Sequence, residues 1–125
     1  MDILSLKEGF PRAVWNNYFR CDYAVWEVGK ECEVHCHQDA AEVFVFLDGE
    51  CEITVEGQTR VVGAGHTVYT GPGVKHKLKA VGSRPLVMFL LVAPNHSPTH
   101  TMYYADGRVE NHDRTAPAPA DNVIH

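Results

Sequence analysis

The stretch Gly29-Lys30-Glu31-Cys32-Glu33-Val34-His35-Cys36-His37-Gln38-Asp39-Ala40-Ala41-Glu42-Val43-Phe44-Val45-Phe46-Leu47-Asp48-Gly49 decides how this chain is read. On a β-strand, residues i and i+2 share a face. His35 and His37 therefore aim two imidazoles into one space, and Cys36 between them faces away. Glu42 adds a carboxylate from the next strand. His76, at the end of Gly71-Pro72-Gly73-Val74-Lys75-His76, adds a third imidazole from a strand further on. Three neutral nitrogens and one carboxylate oxygen make a site for a divalent transition metal. In an octahedral ion, four protein ligands leave two positions open, which suits chemistry rather than a purely structural role.

Outward from that stretch, the chain reads as short strands separated by glycine turns. Asp22–Val28 alternates, Glu31–His37 carries the first two ligands, and Glu42–Leu47 is a dense apolar run closed by the hairpin signal Asp48-Gly49. Glu50–Glu56 puts Cys51, Ile53 and Val55 on one face. Thr59–Val62, Thr67–Thr70, His76–Ala80 and Leu86–Val92 complete the series. Even spacing and the lack of a helical period predict an all-β sandwich or barrel. Residues 1–21 form a lead-in, broken at Phe10-Pro11, with Trp15, Tyr18 and Phe19 as packing anchors. The barrel is expected over residues 22–95. Residues 96–125 read as an irregular tail, ending in the Pro- and Ala-rich run after Thr115.

The frame Gly29-x5-His35-x-His37-x4-Glu42-x6-Gly49 resembles the first signature of the cupin superfamily at every fixed position. The second signature is matched by Gly65, Gly73 and His76; Gly71 stands where proline is usual, Pro72 follows one place later, and Ala80 replaces asparagine. None of these departures touches a ligand. The resemblance covers roughly residues 22–95. It implies a single double-stranded β-helix, the jelly-roll cupin barrel, and one divalent metal ion per chain held by His35, His37, Glu42 and His76. Open positions favour iron or manganese, with nickel, zinc, cobalt or copper also compatible with the donor set. It also implies, for Glu42, a second role as a catalytic base.

A chain of 125 residues makes one domain, and 45% hydrophobic residues supply one sizeable core. The net charge of −5 argues against nucleic acid or an anionic membrane as partner. Lys75, Lys77 and Lys79 read as a solvated strand face that blocks edge pairing. No stretch is long and apolar enough to span a membrane, and Met1-Asp2-Ile3-Leu4 does not read as a signal peptide. Cys21, Cys32, Cys36 and Cys51 show no CxxC spacing, so reduced thiols in a cytoplasm are expected. A thiolate zinc site from Cys32, His35 and Cys36 is disfavoured by the parity of Cys36.

Parity also predicts the pocket. If Glu42 points inward, so do Phe44 and Phe46; Leu78, Met88, Trp26 and Tyr69 are the further candidates for substrate contact. Such a lining is apolar and aromatic, with few charges beyond the ligands. It suits a small enolic or phenolic molecule able to chelate the metal through one or two oxygens. The reaction class expected first is a metal-dependent, dioxygenase-like oxidation. A non-redox isomerase, lyase or cyclase, or a non-catalytic small-ligand binder, is the alternative. His66 reads as a turn residue; His96, His100 and His112 lie beyond the barrel as surface histidines, although one could reach over its mouth. Val43, Val45 and Leu47 point outward and are also apolar, as is the outer face of Leu86–Val92. That face needs a cover, either residues 1–20 or a second subunit packed sheet to sheet, and a homodimer is expected.

Overall fold

Alternation decides the architecture of the barrel wall. In Ala41–Asp48 (β4), Glu42, Phe44 and Phe46 are buried, while Val43 and Val45 between them are half-buried. In Leu86–Ala93 (β9), Leu86, Met88 and Val92 are buried on the same inner face. The two strands pair antiparallel, with Glu42 opposite Val92, Phe44 opposite Leu90 and Phe46 opposite Met88. Their inner residues therefore form one continuous floor.

The structure, a computed structural model, describes residues 14–114, and the described residues form two antiparallel sheets. The first sheet is ordered β1 (Val14–Trp15), β2 (Arg20–Trp26), β9, β4 and β7 (Thr67–Thr70). The second is ordered β11 (Val109–His112), β10 (His100–Tyr103), β3 (Val34–Cys36), β8 (His76–Val81), β5 (Glu50–Val55) and β6 (Gln58–Gly63). Ala24, Phe44, Phe46 and Met88 from the first sheet meet Cys51, Ile53, Leu78 and Ala80 from the second in one hydrophobic core. That core fills one end of the barrel. The histidines occupy the other.

Turn chemistry sets the registers. Gly49, at φ 74°, closes the β4–β5 hairpin, and a Cβ there would stand 2.4 Å from the Pro85 carbonyl oxygen. Only glycine fits on both counts. Gly73, at φ 73°, follows Pro72 in a turn closed by Val74 N–H donating to Gly71 O at 3.2 Å. Proline followed by a glycine with positive φ is the pattern of a type II turn. The Gly73 N–H also donates to His37 O at 2.9 Å, tying the turn before His76 to the end of the His-x-His segment.

Four expectations are corrected. Residues 96–114 are not an irregular tail: β10 pairs with β3 through Met102 opposite His35, and β11 pairs with β10. These strands are short and polar, so they lack a strong apolar alternation. The usable signal is Asp106-Gly107 between them, a hairpin pair with Gly107 at φ 91°. The lead-in is also strand in part, because β2 begins at Arg20 and β1 precedes it. Tyr18 does not anchor packing, since it is 82% exposed in the β1–β2 connection. Finally, the row Lys75, Lys77 and Lys79 does not guard an edge. Its strand is paired on both sides, to β3 and β5, while Lys77 meets Glu31 at 3.2 Å and Lys75 lies over the Tyr103 ring. The Phe10-Pro11 break and the run from Thr115 lie outside the described residues.

Phe46 is completely buried at the centre of the core. Phe46→Ala is expected to lower the unfolding free energy by about 3–5 kcal/mol. Urea denaturation followed by tryptophan fluorescence reads this directly.

Candidate metal centre

Three neighbouring inner-face positions bring the histidines together. His35 lies opposite His76 across the β3–β8 pair, and His37 leaves the end of β3 on the same side. Glu42 reaches in from β4 in the facing sheet. One potential donor atom from each of His35, His37, Glu42 and His76 lies within 4.8 Å of the others, and all four residues are buried.

Hydrogen bonding decides what each imidazole offers. His35 Nδ1 lies 2.9 Å from Glu33 O, His37 Nδ1 2.7 Å from Thr99 O, and His76 Nδ1 2.9 Å from Val74 O. A carbonyl oxygen only accepts, so each Nδ1 must carry the hydrogen and donate it. The same bond that fixes the tautomer fixes the ring orientation. Each Nε2 is left to face the centre. His37 Nε2 and His76 Nε2 stand 2.9 and 3.0 Å from the single oxygen Glu42 Oε1. An imidazole lone pair cannot approach a carboxylate oxygen that closely unless a positive charge, a proton or a metal ion, lies between them. Donor atoms about 2.1 Å from a common ion and at right angles to one another stand about 3 Å apart. The two separations match that spacing, so the donor set fits a divalent transition metal.

Electrostatics separates the roles further. Burial acts to raise the Glu42 carboxyl, but its contacts with His37 and His76 outweigh burial and hold the group well below the usual carboxylate range. Glu42 is therefore ionised. Burial first, and the neighbouring His76 second, push His35 down to about 3. It stays neutral and keeps its Nε2 lone pair.

A cavity of about 290 Å³ opens beside this cluster and reaches His35 and Glu42. Trp26, Phe44, Leu78 and Met88 line it, as parity places them. Phe46 does not: it sits one layer deeper, in the core. Tyr69 is on the wrong face. It pairs with the outward Val43, not with Glu42, and is 63% exposed. The lining is also more charged than expected, with Arg20, Asp22, Lys30 and Arg114 around it. Three of these lie outside the signature-like segment, which is why pattern reading passes over them. Asp22, on an inner position of β2, was open to the same parity argument.

His100 is the residue that sequence reasoning misplaced most. It is not on the surface but 8% exposed, with ring centroids 4.8 Å from His37 and 5.5 Å from His35. Its Nδ1 lies 2.7 Å from Thr99 Oγ1. That hydroxyl also donates to His112 O and accepts from the Arg114 N–H. Burial first, then Arg114 and the other histidines, push His100 down to about 2. His96 and His112 are exposed, as expected. Cys36 is buried on the far side of β3, with its Sγ 3.7 Å from the Tyr103 hydroxyl, and no cysteine belongs to the donor cluster. His66 binds Gly63 across the β6–β7 turn.

Fold and donor set converge on one family. Residues 23–93 match the cupin domain, more than half of the 125-residue chain, and the chain belongs to the cupin family. An uncharacterized protein of Methanocaldococcus jannaschii is 28% identical over 78 residues, which span 62% of this chain and 62% of that protein. The chain thus spans less than two thirds of the curated relative it matches. Among solved structures, a Klebsiella pneumoniae protein with a double-stranded β-helix domain is similar at a TM-score of 0.72 and 21% identity, covering 82% of this chain and 96% of that one. The DMSP lyase DddQ of Ruegeria pomeroyi is similar at a TM-score of 0.64 and 23% identity, covering 74% of this chain and 47% of that one. At these identities the likeness is one of fold. No helix among the described residues is long and apolar enough to cross a membrane.

The low values of His35 and His100 set a pH dependence. In an unfolded chain both groups titrate near 6.5. Below that pH the unfolded chain binds protons that the folded protein refuses until about pH 3. Stability is therefore full above about pH 6.5 and falls as the pH is lowered towards about 3. The urea midpoint of chelator-treated protein should be lower at about pH 4.5 than at about pH 7.5. His100→Gln removes one of the two groups and should flatten that fall.

Proposed function

We propose that the chain binds one divalent transition-metal ion through His35, His37, Glu42 and His76, and works as a metal-dependent enzyme on a small molecule. The observation that carries this is the fixed tautomer of all three histidines, each Nδ1 donating to a backbone carbonyl, with the Nε2 atoms of His37 and His76 against Glu42 Oε1. Such an ion supplies Lewis acidity towards substrate oxygens and, where it is iron or manganese, oxygen chemistry as well. The reaction class we propose is oxidation of an enolic or phenolic compound. Trp26, Phe44, Leu78 and Met88 hold the apolar part of the substrate and exclude water. Glu42, ionised and on the cavity wall, is the residue we propose as the base.

A second reading, a non-redox isomerase, lyase or cyclase, is favoured by the cations around the cavity. Arg20, Lys30 and Arg114 would stabilise a developing enolate without any change of oxidation state. Four cysteines without disulfide partners support a reducing, cytoplasmic setting. The half-buried outer residues Val43, Val45, Phe89 and Leu91 support a homodimer joined through the first sheet. In sedimentation velocity, Val45→Glu should turn that dimer into monomer; an unchanged dimer would remove this face from the interface.

Protein purified without chelators should carry about one equivalent of metal per chain, and His76→Ala should retain far less. Metal should raise the melting temperature of wild type but not of His76→Ala, by mass action on the folded state. Iron or manganese with oxygen uptake on phenolic or enolic compounds would support the oxidative class. Zinc, with turnover but no oxygen uptake, would support the second reading. Stoichiometric metal with ligand-induced stabilisation and no product would leave a binding protein. Equal, metal-independent melting of wild type and variant would overturn the site.

A further inference from the structure

The charges around the cavity bear on what it binds. Arg20 is 4% exposed, yet its partners among the described residues are neutral: NH1 donates to Asn95 Oδ1 at 2.9 Å, and NH2 donates to Thr99 O at 3.1 Å beside His37. A buried guanidinium with no carboxylate hydrogen-bonded to it is uncommon, and here only the nearby charge of Glu42 works against its desolvation. Arg114 lies at the same cavity, anchored by its backbone N–H to Thr99 Oγ1 at 2.9 Å, and no ion pair ties up its guanidinium among the described residues. Lys30 sits on the rim over the Trp26 ring, 5.3 Å from its centroid. Against these cations the lining sets two carboxylates, Asp22 and Glu42, and Glu42 is already shared by His37 and His76. Among the described lining residues one positive charge is left over, and a divalent metal would add two more.

We infer that this cavity takes a small organic acid, whose carboxylate pairs with Arg114 in the field of Arg20 while its apolar or planar body rests on Trp26, Phe44 and Met88. The inference rests on the proposed reading of the barrel cavity as a small-molecule site beside a metal, and names the class of molecule. Arginine suits this role because its planar donor fork matches a carboxylate in a bidentate arrangement. A volume of about 290 Å³ admits a ligand of roughly the size of a substituted benzoate. The carboxylate end also explains why a cavity otherwise lined by tryptophan, phenylalanine and methionine carries two guanidinium groups.

The test uses matched acid and amide pairs: benzoate with benzamide, phenylacetate with phenylacetamide, and hexanoate with hexanamide. Each is titrated calorimetrically into the full chain, both loaded with zinc and stripped of metal. At least one acid should bind about tenfold or more tightly than its amide. Arg114→Gln should lose most of that preference while keeping its metal content. The inference is overturned if no acid outbinds its amide, or if the preference survives Arg114→Gln and disappears with the metal. In the latter case the ion alone holds the carboxylate. Phenyl phosphate binding more tightly than benzoate would also overturn it, in favour of a dianion. A chain that takes up no metal but keeps an acid preference dependent on Arg114 would end the metal reading and leave this one standing.

Discussion

Glu42 is a carboxylate placed in the interior of a small β-barrel, and an isolated charge in such a place costs several kcal/mol. It can be kept only if converging groups hold a proton or a metal ion against it. His37 and His76 do so within 3.0 Å of one oxygen, and their rings are aimed by bonds from Nδ1 to Thr99 O and Val74 O. Those carbonyls come from loop segments that the fold must hold in place. The turn at Gly71-Pro72-Gly73 positions Val74, and the approach to β10 positions Thr99. The geometry of the centre is thus a constraint on both sheets, not on the four donors alone.

The barrel divides its interior between two tasks. Phe46, Cys51, Ile53 and Ala80 close one end with tightly packed apolar side chains. The other end keeps a cavity that mixes aromatic with cationic side chains, Arg20 beside Trp15 and Lys30 over Trp26. Arg20 joins these regions. It reaches Asn95 and Thr99 in the segment between β9 and β10, and Thr99 O in turn accepts from His37. A single loop carbonyl therefore connects the orientation of a metal-ligand candidate with the residue that charges the cavity. Moving the loop would disturb both.

The His-x-His pair, the glutamate on the following strand and the histidine after a glycine turn were legible because a strand has a period of two, and because turn glycines announce themselves. The same parity placed Phe44, Leu78, Met88 and Trp26 on the cavity. It failed for Tyr69, whose strand had no charged or ligand residue to show which face was inward; pairing with Val43 sends it outside. It failed for Phe46 in a different way, since an inward side chain can face the core instead of the cavity. His100 was hidden because β10 is four residues long and pairs with a strand more than sixty positions earlier.

By itself, then, the sequence determined the all-β class, the cupin resemblance and the four-residue donor set, all of which depend on local periodicity and spacing. Only the tertiary structure decided the rest. It set the tautomers, because they depend on carbonyls brought in from Thr99, Glu33 and Val74. It set the burial of His100, and it gathered Arg20 and Arg114 beside the same cavity from opposite ends of the described chain. Charges so distant in sequence become one field only when two sheets close on each other, and no local pattern encodes that closure.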